Sequence, residues 1–235
     1  MVRNSAAPAL EADLLPAITL CGRPLDRYLR ALEEFHGWRA PGAVIGGFMV
    51  DWAQASLPPG LEADAIVETC HCLPDAVQLL TPCTFGNGWL KVLDWDKFAL
   101  SLYDKKTLEG FRVWLDLTKA RAFPEIYAWY MRLAPKKALP LEVLLDHIIR
   151  AGRGILSLAP VKITALHGKK EKGATAICPH CGEAYPLRQG ATCLSCQGQG
   201  YWQGPGIRGQ GSGLSWLESP AVYEKNRNVW SQAEG

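Results

Sequence analysis

Cys178-Pro179-His180-Cys181 and Cys193-Leu194-Ser195-Cys196 form two C-x-x-C pairs eleven residues apart, with Gly182 and Gly198 close behind them. Each pair can wrap one side of a tetrahedral ion, the glycines permit tight knuckle turns, and four thiolates close the coordination sphere. A segment as short as Ala176 to Trp202 has too little apolar surface to fold alone, so a metal must supply folding energy. The expectation is a zinc ribbon over 176–203, with Cys178, Cys181, Cys193 and Cys196 as ligands of a structural zinc. A redox role explains one C-x-x-C pair, not two in register.

The remainder is long enough for a second, larger unit: the chain has 235 residues, 48% of them hydrophobic and 20% charged. A formal net charge of +2 gives no electrostatic reason to expect nucleic acid or a membrane. Around the knuckles only Arg188, Arg208, Tyr185, Tyr201 and Trp202 could form a nucleic-acid face, so docking of a protein partner or simple capping is favoured for the ribbon. No apolar run approaches the ~20 residues of a membrane span, and Glu11 and Asp13 stand where a signal peptide needs an apolar core. The expected setting is the cytoplasm, with the 8 cysteines reduced.

Leu25, Tyr28, Leu29, Leu32 and Phe35 recur at helical spacing from Pro24 to His36, and Gly37 suits a helix end. Pro41-Gly42 restarts a helix to about Ala55, crowded with Gly42, Ala43, Gly46 and Gly47, which permit close approach of another backbone or a ligand. Ala65 to Val67 reads as a buried strand and Pro74 to Leu80 as a helix. Trp89–Leu93 and Phe98–Tyr103 read as two strands of a hairpin or meander. The pattern from Lys105 to Gly152 is helical, including Leu108, Phe111, Trp114 and Leu115, and Ile155 to Ala165 returns as a strand. The predicted architecture is α+β, a mixed or antiparallel sheet core with a helical arm over 1–166. A basic linker (167–175), the ribbon (176–203) and a flexible tail (204–235) with Trp216, Tyr223 and Trp230 complete it.

Chemistry concentrates in Glu68-Thr69-Cys70-His71-Cys72-Leu73-Pro74-Asp75, continuing through Gln78 and Thr81 to Cys83. Thiols, imidazoles and carboxylates are metal ligands and nucleophiles, and each is costly to bury unpaired. Cys72 stands near a helix N-terminus, whose free amides and dipole predict a lowered thiol pKa. The bland alternatives are that Cys83 is a buried apolar thiol and that His36 only faces the negative end of a helix. His147 and His167 read as structural or solvated, and Asp94 and Asp96 as turn caps. Phe111, Trp114, Phe123, Tyr127, Trp129 and Tyr130 read as core or dimer interface, or as a surface for a flat ligand such as a tetrapyrrole.

Phe35-His36-Gly37-Trp38-x-x-Pro41-Gly42-x-x-x-Gly46, taken with Glu68-x-x-x-Cys72-x-x-Asp75-Ala76-x-Gln78-x-x-Thr81-x-Cys83-Thr84-x-Gly86-x-Gly88, resembles the FmdE family. That family is named for a protein encoded beside molybdenum or tungsten formylmethanofuran dehydrogenase. The resemblance covers roughly Asp26 to Tyr103 and adds the ribbon. It implies an α+β core with an arm, C-terminal zinc ligands, a homodimer, and partners among Mo/W enzymes or their assembly factors. Residue by residue, it implies that His36, Cys72 and Cys83 line a core cavity holding a second metal ion or a ligand. Asp75, Gln78 and Thr81 would support them, and Cys70 and His71 are substitute ligands. Where the family pattern carries a second histidine and a further cysteine, this chain has Trp38 and Ala40.

The functional expectation is a metal-binding accessory protein. The second class is a metal- or thiolate-dependent enzyme or small-ligand binder, with Cys72, His36 and Asp75 as its catalytic candidates. The third is a regulator that reads nucleic acid through the ribbon, which predicts salt-dependent affinity.

Overall fold

A computed structural model describes residues 18–133, 135, 139–165 and 173–202. Most of the expected linker and the whole of the tail from 204, with its aromatic residues, lie outside the described residues. Two compact units divide the chain, Met1–Lys169 and Lys170–Gly235.

The first unit opens with a short ladder, β1 (Thr19–Leu20) on β2 (Arg23–Pro24), and then α1 (Leu25–His36). Leu25, Tyr28, Leu29 and Leu32 form the buried stripe of α1, and Gly37 ends it with φ 91° in the left-handed region. Pro41 then starts α2 (Pro41–Ser56), in which every residue from Pro41 to Val50 is buried. A helix apolar on all sides belongs inside a core, and its glycines let neighbours close on it. A Cβ at Gly46 would lie 2.8 Å from the Ala76 Cβ, and one at Gly47 would lie 2.8 Å from Leu20 and Tyr28 side-chain atoms.

Around this helix run β3 (Ala63–Val67), α3 (Leu73–Leu80), β4 (Leu90–Val92), β5 (Ala99–Asp104), β6 (Glu109–Leu115), α4 (Leu117–Ala120), α5 (Pro124–Tyr130), α6 (Leu141–Ala151) and β7 (Leu156–Lys162). The sheet order is β4-β3-β5-β6-β7, with β3 and β4 parallel and all other pairs antiparallel. Val67, Leu100 and Val113 stand in register across β3, β5 and β6 and bury one face of the sheet. α2 packs on β5 and β6 and touches α3 and α6, so the all-apolar helix is the centre of the core.

Two sequence expectations change here. Trp89–Leu93 and Phe98–Tyr103 do supply strands, but β3 lies between β4 and β5 instead of the two forming a hairpin. The connection wraps the end of β3, where the Glu68 carbonyl accepts the amides of Trp95 at 3.1 Å and Lys97 at 3.0 Å. Within Leu108 to Leu115, read as helical from its three- and four-residue spacing, Glu109–Leu115 forms β6 and Leu108 lies in the turn before it. A seven-residue ladder to β7 and five pairs to β5 outweigh the local pattern.

In the second unit β8 (Thr175–Ile177) pairs antiparallel with β9 (Ala184–Pro186). Beneath this hairpin Cys178, Tyr185 and Cys193 form a small buried cluster.

Candidate functional site

α1 ends on His36 and α3 begins just past Cys72, which brings the two ends together. His36 Nδ1 lies 2.6 Å from Asp75 Oδ2, on the first turn of α3, and His36 Nε2 lies 3.9 Å from Cys72 Sγ. An ionised carboxylate only accepts hydrogen bonds, so Nδ1 carries the imidazole proton. In the neutral imidazole Nε2 is then the acceptor, and it is the nitrogen that faces the Cys72 thiol. The array is thiol, imidazole, carboxylate, in the order that proton transfer from sulfur requires.

Cys72 is held in an unusual backbone state. Its φ is 54° and ψ is −48°, and the Leu73 amide donates back to the His71 carbonyl at 2.5 Å. This is a γ-turn of the rare, strained kind, a conformation costing about 1–3 kcal/mol. Surrounding packing keeps it in place. A Cβ at Gly42 would meet Cys72 Cβ at 3.1 Å and Sγ at 3.2 Å, with Phe98 at 3.6 Å, so only a glycine lets the thiol lie against α2. α2 has no side-chain cap, and its first internal bond is Val44 N–H to the Ala40 carbonyl at 3.0 Å. The Ala43 amide is thus left to face the Cys72 sulfur.

The thiol pKa departs from expectation. Burial pushes the Cys72 thiol up, the Asp75 carboxylate adds to this, and the Ala43 amide opposes it without reversing it. Desolvation and a nearby negative charge outweigh one amide and the dipole of an eight-residue helix. Cys72 therefore rests as a neutral thiol that needs a base.

The other expected site residues divide. Gln78 Nε2 donates to Asp75 Oδ1 at 3.5 Å and its Oε1 accepts the Phe85 amide at 3.2 Å, tying Asp75 to the turn after α3. Thr81 donates to the Val77 carbonyl at 2.8 Å and accepts the Cys83 amide at 3.0 Å, so it caps the far end of α3. Cys83 does not share a cavity with His36 and Cys72. It is buried beyond the opposite end of α3 and donates to the Ala63 carbonyl at 3.3 Å. Cys70 and His71 are exposed, and the Cys70 amide and thiol are engaged by Asp94. His147 lies 3.6 Å from Glu125, away from the array. Two clefts of about 520 and 740 Å³ share Leu57, Pro58 and Leu61; Cys83 lines the smaller, and neither includes His36 or Cys72. The small residues of α2 signalled close approach in the sequence, but the participation of the Ala43 amide and the strained turn carried no local signal.

The second unit holds the other site. Among the described residues, Cys178, Cys181, Cys193 and Cys196 alone gather three or more candidate ligand atoms, all within 4.8 Å of one another. Cys181 Sγ and Cys193 Sγ are 3.7 Å apart. A tetrahedron of sulfurs at ~2.3 Å from zinc has edges of about 3.8 Å, so the set fits the ion. Gly182 and Gly198 take φ of 77° and 88° in the knuckles, as those turns require. The amides of Cys193, Cys181 and His180 hold the Cys178 thiol down at about 6, while burial and the neighbouring thiols push Cys196 up to about 12. Four crowded sulfurs cannot all ionise without a cation, which is the condition zinc satisfies.

Both units have counterparts among known proteins. Residues 35–165, more than half of the chain, match the family model described as FmdE, molybdenum formylmethanofuran dehydrogenase operon. Residues 169–203 match the FmdE treble clef zinc finger. A crystal structure of a tungsten formylmethanofuran dehydrogenase FmdE-like protein from Syntrophus aciditrophicus is similar, with a TM-score of 0.72 and 48% identity, covering 79% of this chain and 98% of that one. A probable S-adenosyl-L-methionine-binding protein of Archaeoglobus fulgidus is 37% identical over 109 residues, 42% of this chain. The match spans only 29% of that relative's length.

Proposed function

The chain belongs to the FmdE family, and from that premise we propose that it is a metal-binding accessory protein of molybdenum or tungsten formylmethanofuran or formate dehydrogenase metabolism. Its zinc resides in the C-terminal finger, which closes the metal's coordination sphere and serves as a structural or docking module. Its working centre is the core array of Cys72, His36 and Asp75.

The convergence of His36 Nε2 on Cys72 Sγ at 3.9 Å, with Asp75 behind the imidazole, carries this reading. Two donors make an incomplete resident metal site, and the positions where the family pattern offers more hold Trp38, 46% exposed, and Ala40, buried. A thiol and an oriented imidazole are complete as they stand for binding or transforming a small ligand. The metal setting is supported by the operon for which the family is named and by the description of the similar crystal structure. The Archaeoglobus relative makes S-adenosyl-L-methionine the first small ligand to offer the core.

The test is metal content per chain after anaerobic purification, beside calorimetric titration with a purified tungsten formylmethanofuran dehydrogenase. One zinc is expected in wild type and in Cys72→Ser, and none when Cys178 and Cys181 are both replaced by serine. A second ion that departs with Cys72→Ser overturns the core reading in favour of a metal centre. Absence of binding to the dehydrogenase overturns the accessory role.

A further inference from the structure

The core array has the parts of a covalent site in the order such chemistry uses them. The sulfur stands on a sharp strand-to-helix connection, between β3 and α3, in a strained turn that sets it between His36 and the first turn of α2. Cys72 is half-buried and so reachable, and His36 Nε2 faces it with a lone pair fixed by Asp75. Across the sulfur lies the uncapped start of α2, where the Ala43 amide points at Cys72 and Gly42 leaves no side chain in the way. An amide in that position suits the negative charge that develops on the sulfur as its proton leaves.

We propose that Cys72 is the nucleophile of an acyl-transfer site whose substrates are small activated acyl compounds, esters or thioesters, with His36 as general base and Asp75 as the residue that positions it. This rests on the core being the working centre. The sulfur, its developing charge met by the Ala43 amide, attacks the carbonyl carbon as its proton passes to His36 Nε2, and the carbonyl oxygen takes up the negative charge of the tetrahedral adduct. The bond to the leaving group breaks, and His36 returns the proton to that group. Water then adds to the thioester carbon with His36 again as base, the carbon–sulfur bond breaks, and the thiol and a carboxylic acid are released. No electron transfer and no co-reactant other than water is needed.

Asp75 separates this reading from a structural one. Its carboxylate is one cause of the raised Cys72 thiol. If it is only a neighbouring charge, Asp75→Asn eases thiolate formation and speeds reaction near neutral pH. If it orients His36, the same change leaves the base mistautomerised and slows reaction.

The experiment uses the full-length, zinc-loaded chain with p-nitrophenyl acetate as probe, following p-nitrophenol release and locating acetyl groups by peptide mass spectrometry. Wild type is expected to give a burst of one equivalent with the acetyl group on Cys72, and Cys72→Ser is expected to give none. His36→Gln and, as a second variant, His36→Asn should slow acylation about 100-fold, and Asp75→Asn should slow it and flatten its pH profile. Variants count only with wild-type zinc content and melting. Acetyl on the exposed Cys70 alone, a rate indifferent to both His36 variants, or faster reaction in Asp75→Asn overturns the proposal. One zinc per chain with no acylation overturns the acyl-transfer step alone, whereas a Cys72-dependent second ion overturns the core reading with it. Failure to bind the dehydrogenase leaves the acylation result standing.

Discussion

Gly42 lies so close to Cys72 that a Cβ on it would meet the thiol sulfur at 3.2 Å. The contact couples the first turn of α2 to the turn before α3, two segments thirty residues apart in sequence. Gly42→Ala should therefore alter reactivity more than stability. The helix gains propensity worth up to about 1 kcal/mol, while the thiol must retreat a few tenths of an ångström from its place beside His36. The expected result is a melting temperature within a few degrees of wild type and a several-fold slower iodoacetamide reaction at Cys72. Gly46→Ala is the contrasting case. Its Cβ would sit 2.8 Å from Ala76 Cβ in a closed core, so a loss of about 1–3 kcal/mol in urea unfolding is expected.

Removing two zinc ligands tests the independence of the C-terminal unit. With Cys178→Ser and Cys181→Ser the buried cluster of Cys178, Tyr185 and Cys193 loses the ion that completes it. Loss of one equivalent of zinc is expected, with rapid proteolysis within 173–202 and an unchanged melting transition of the first unit. A finger that resists protease without metal would show that its hairpin folds on side-chain packing alone.

Much of this was legible from the sequence, and the failures share a cause. The helix over Leu25–His36 and the four cysteine ligands depend on local periodicity and spacing, which a sequence displays directly. Leu108 to Leu115 did not, because a strand whose two neighbours come from distant segments is stabilised by pairing that no local window contains. Cys83 misled for a geometric reason. It stands near Cys72 in sequence, but the eight-residue helix between them carries it about 12 Å along its axis. The positive φ of Cys72 was invisible because no residue type beside it marks a left-handed turn, and the segment packed against it, Gly42 and Ala43, lies thirty residues away.

Glu68 and Arg112 offer a test of the sheet itself. The buried Glu68 carboxylate accepts from Arg112 Nε at 2.6 Å and from a terminal guanidinium nitrogen at 2.7 Å, a two-point pair on the sheet. Arg112→Met leaves that carboxylate without its cation, which costs about 3 kcal/mol for a buried charge. The melting temperature should fall by roughly 6–12 °C. Adding Glu68→Met to the same chain should restore most of the loss, since an apolar pair needs no compensation. A double variant no better than Arg112→Met would mean that the guanidinium acts through its stacking on Trp114, 5.4 Å away, and not through the carboxylate.

Asp116 makes the start of α4 sensitive to acid. Its carboxylate accepts from Ser157 Oγ at 2.6 Å and from the amides of Thr118 at 2.9 Å and Lys119 at 3.3 Å. The Ser157 hydroxyl, ahead of those amides, holds its pKa below the ordinary 3.8. A depressed carboxylate binds fewer protons folded than unfolded, so its stabilisation is fully present above the unfolded value and disappears as pH falls through the folded one. Asp116→Asn keeps an oxygen for the amides but cannot titrate. Urea midpoints should therefore favour wild type at about pH 6, and the gap should close as the pH drops below about 3.9. A gap that is constant down to low pH would mean that Asp116 contributes only hydrogen-bond geometry, which asparagine shares in part, and that the acid sensitivity of this fold originates in other carboxylates.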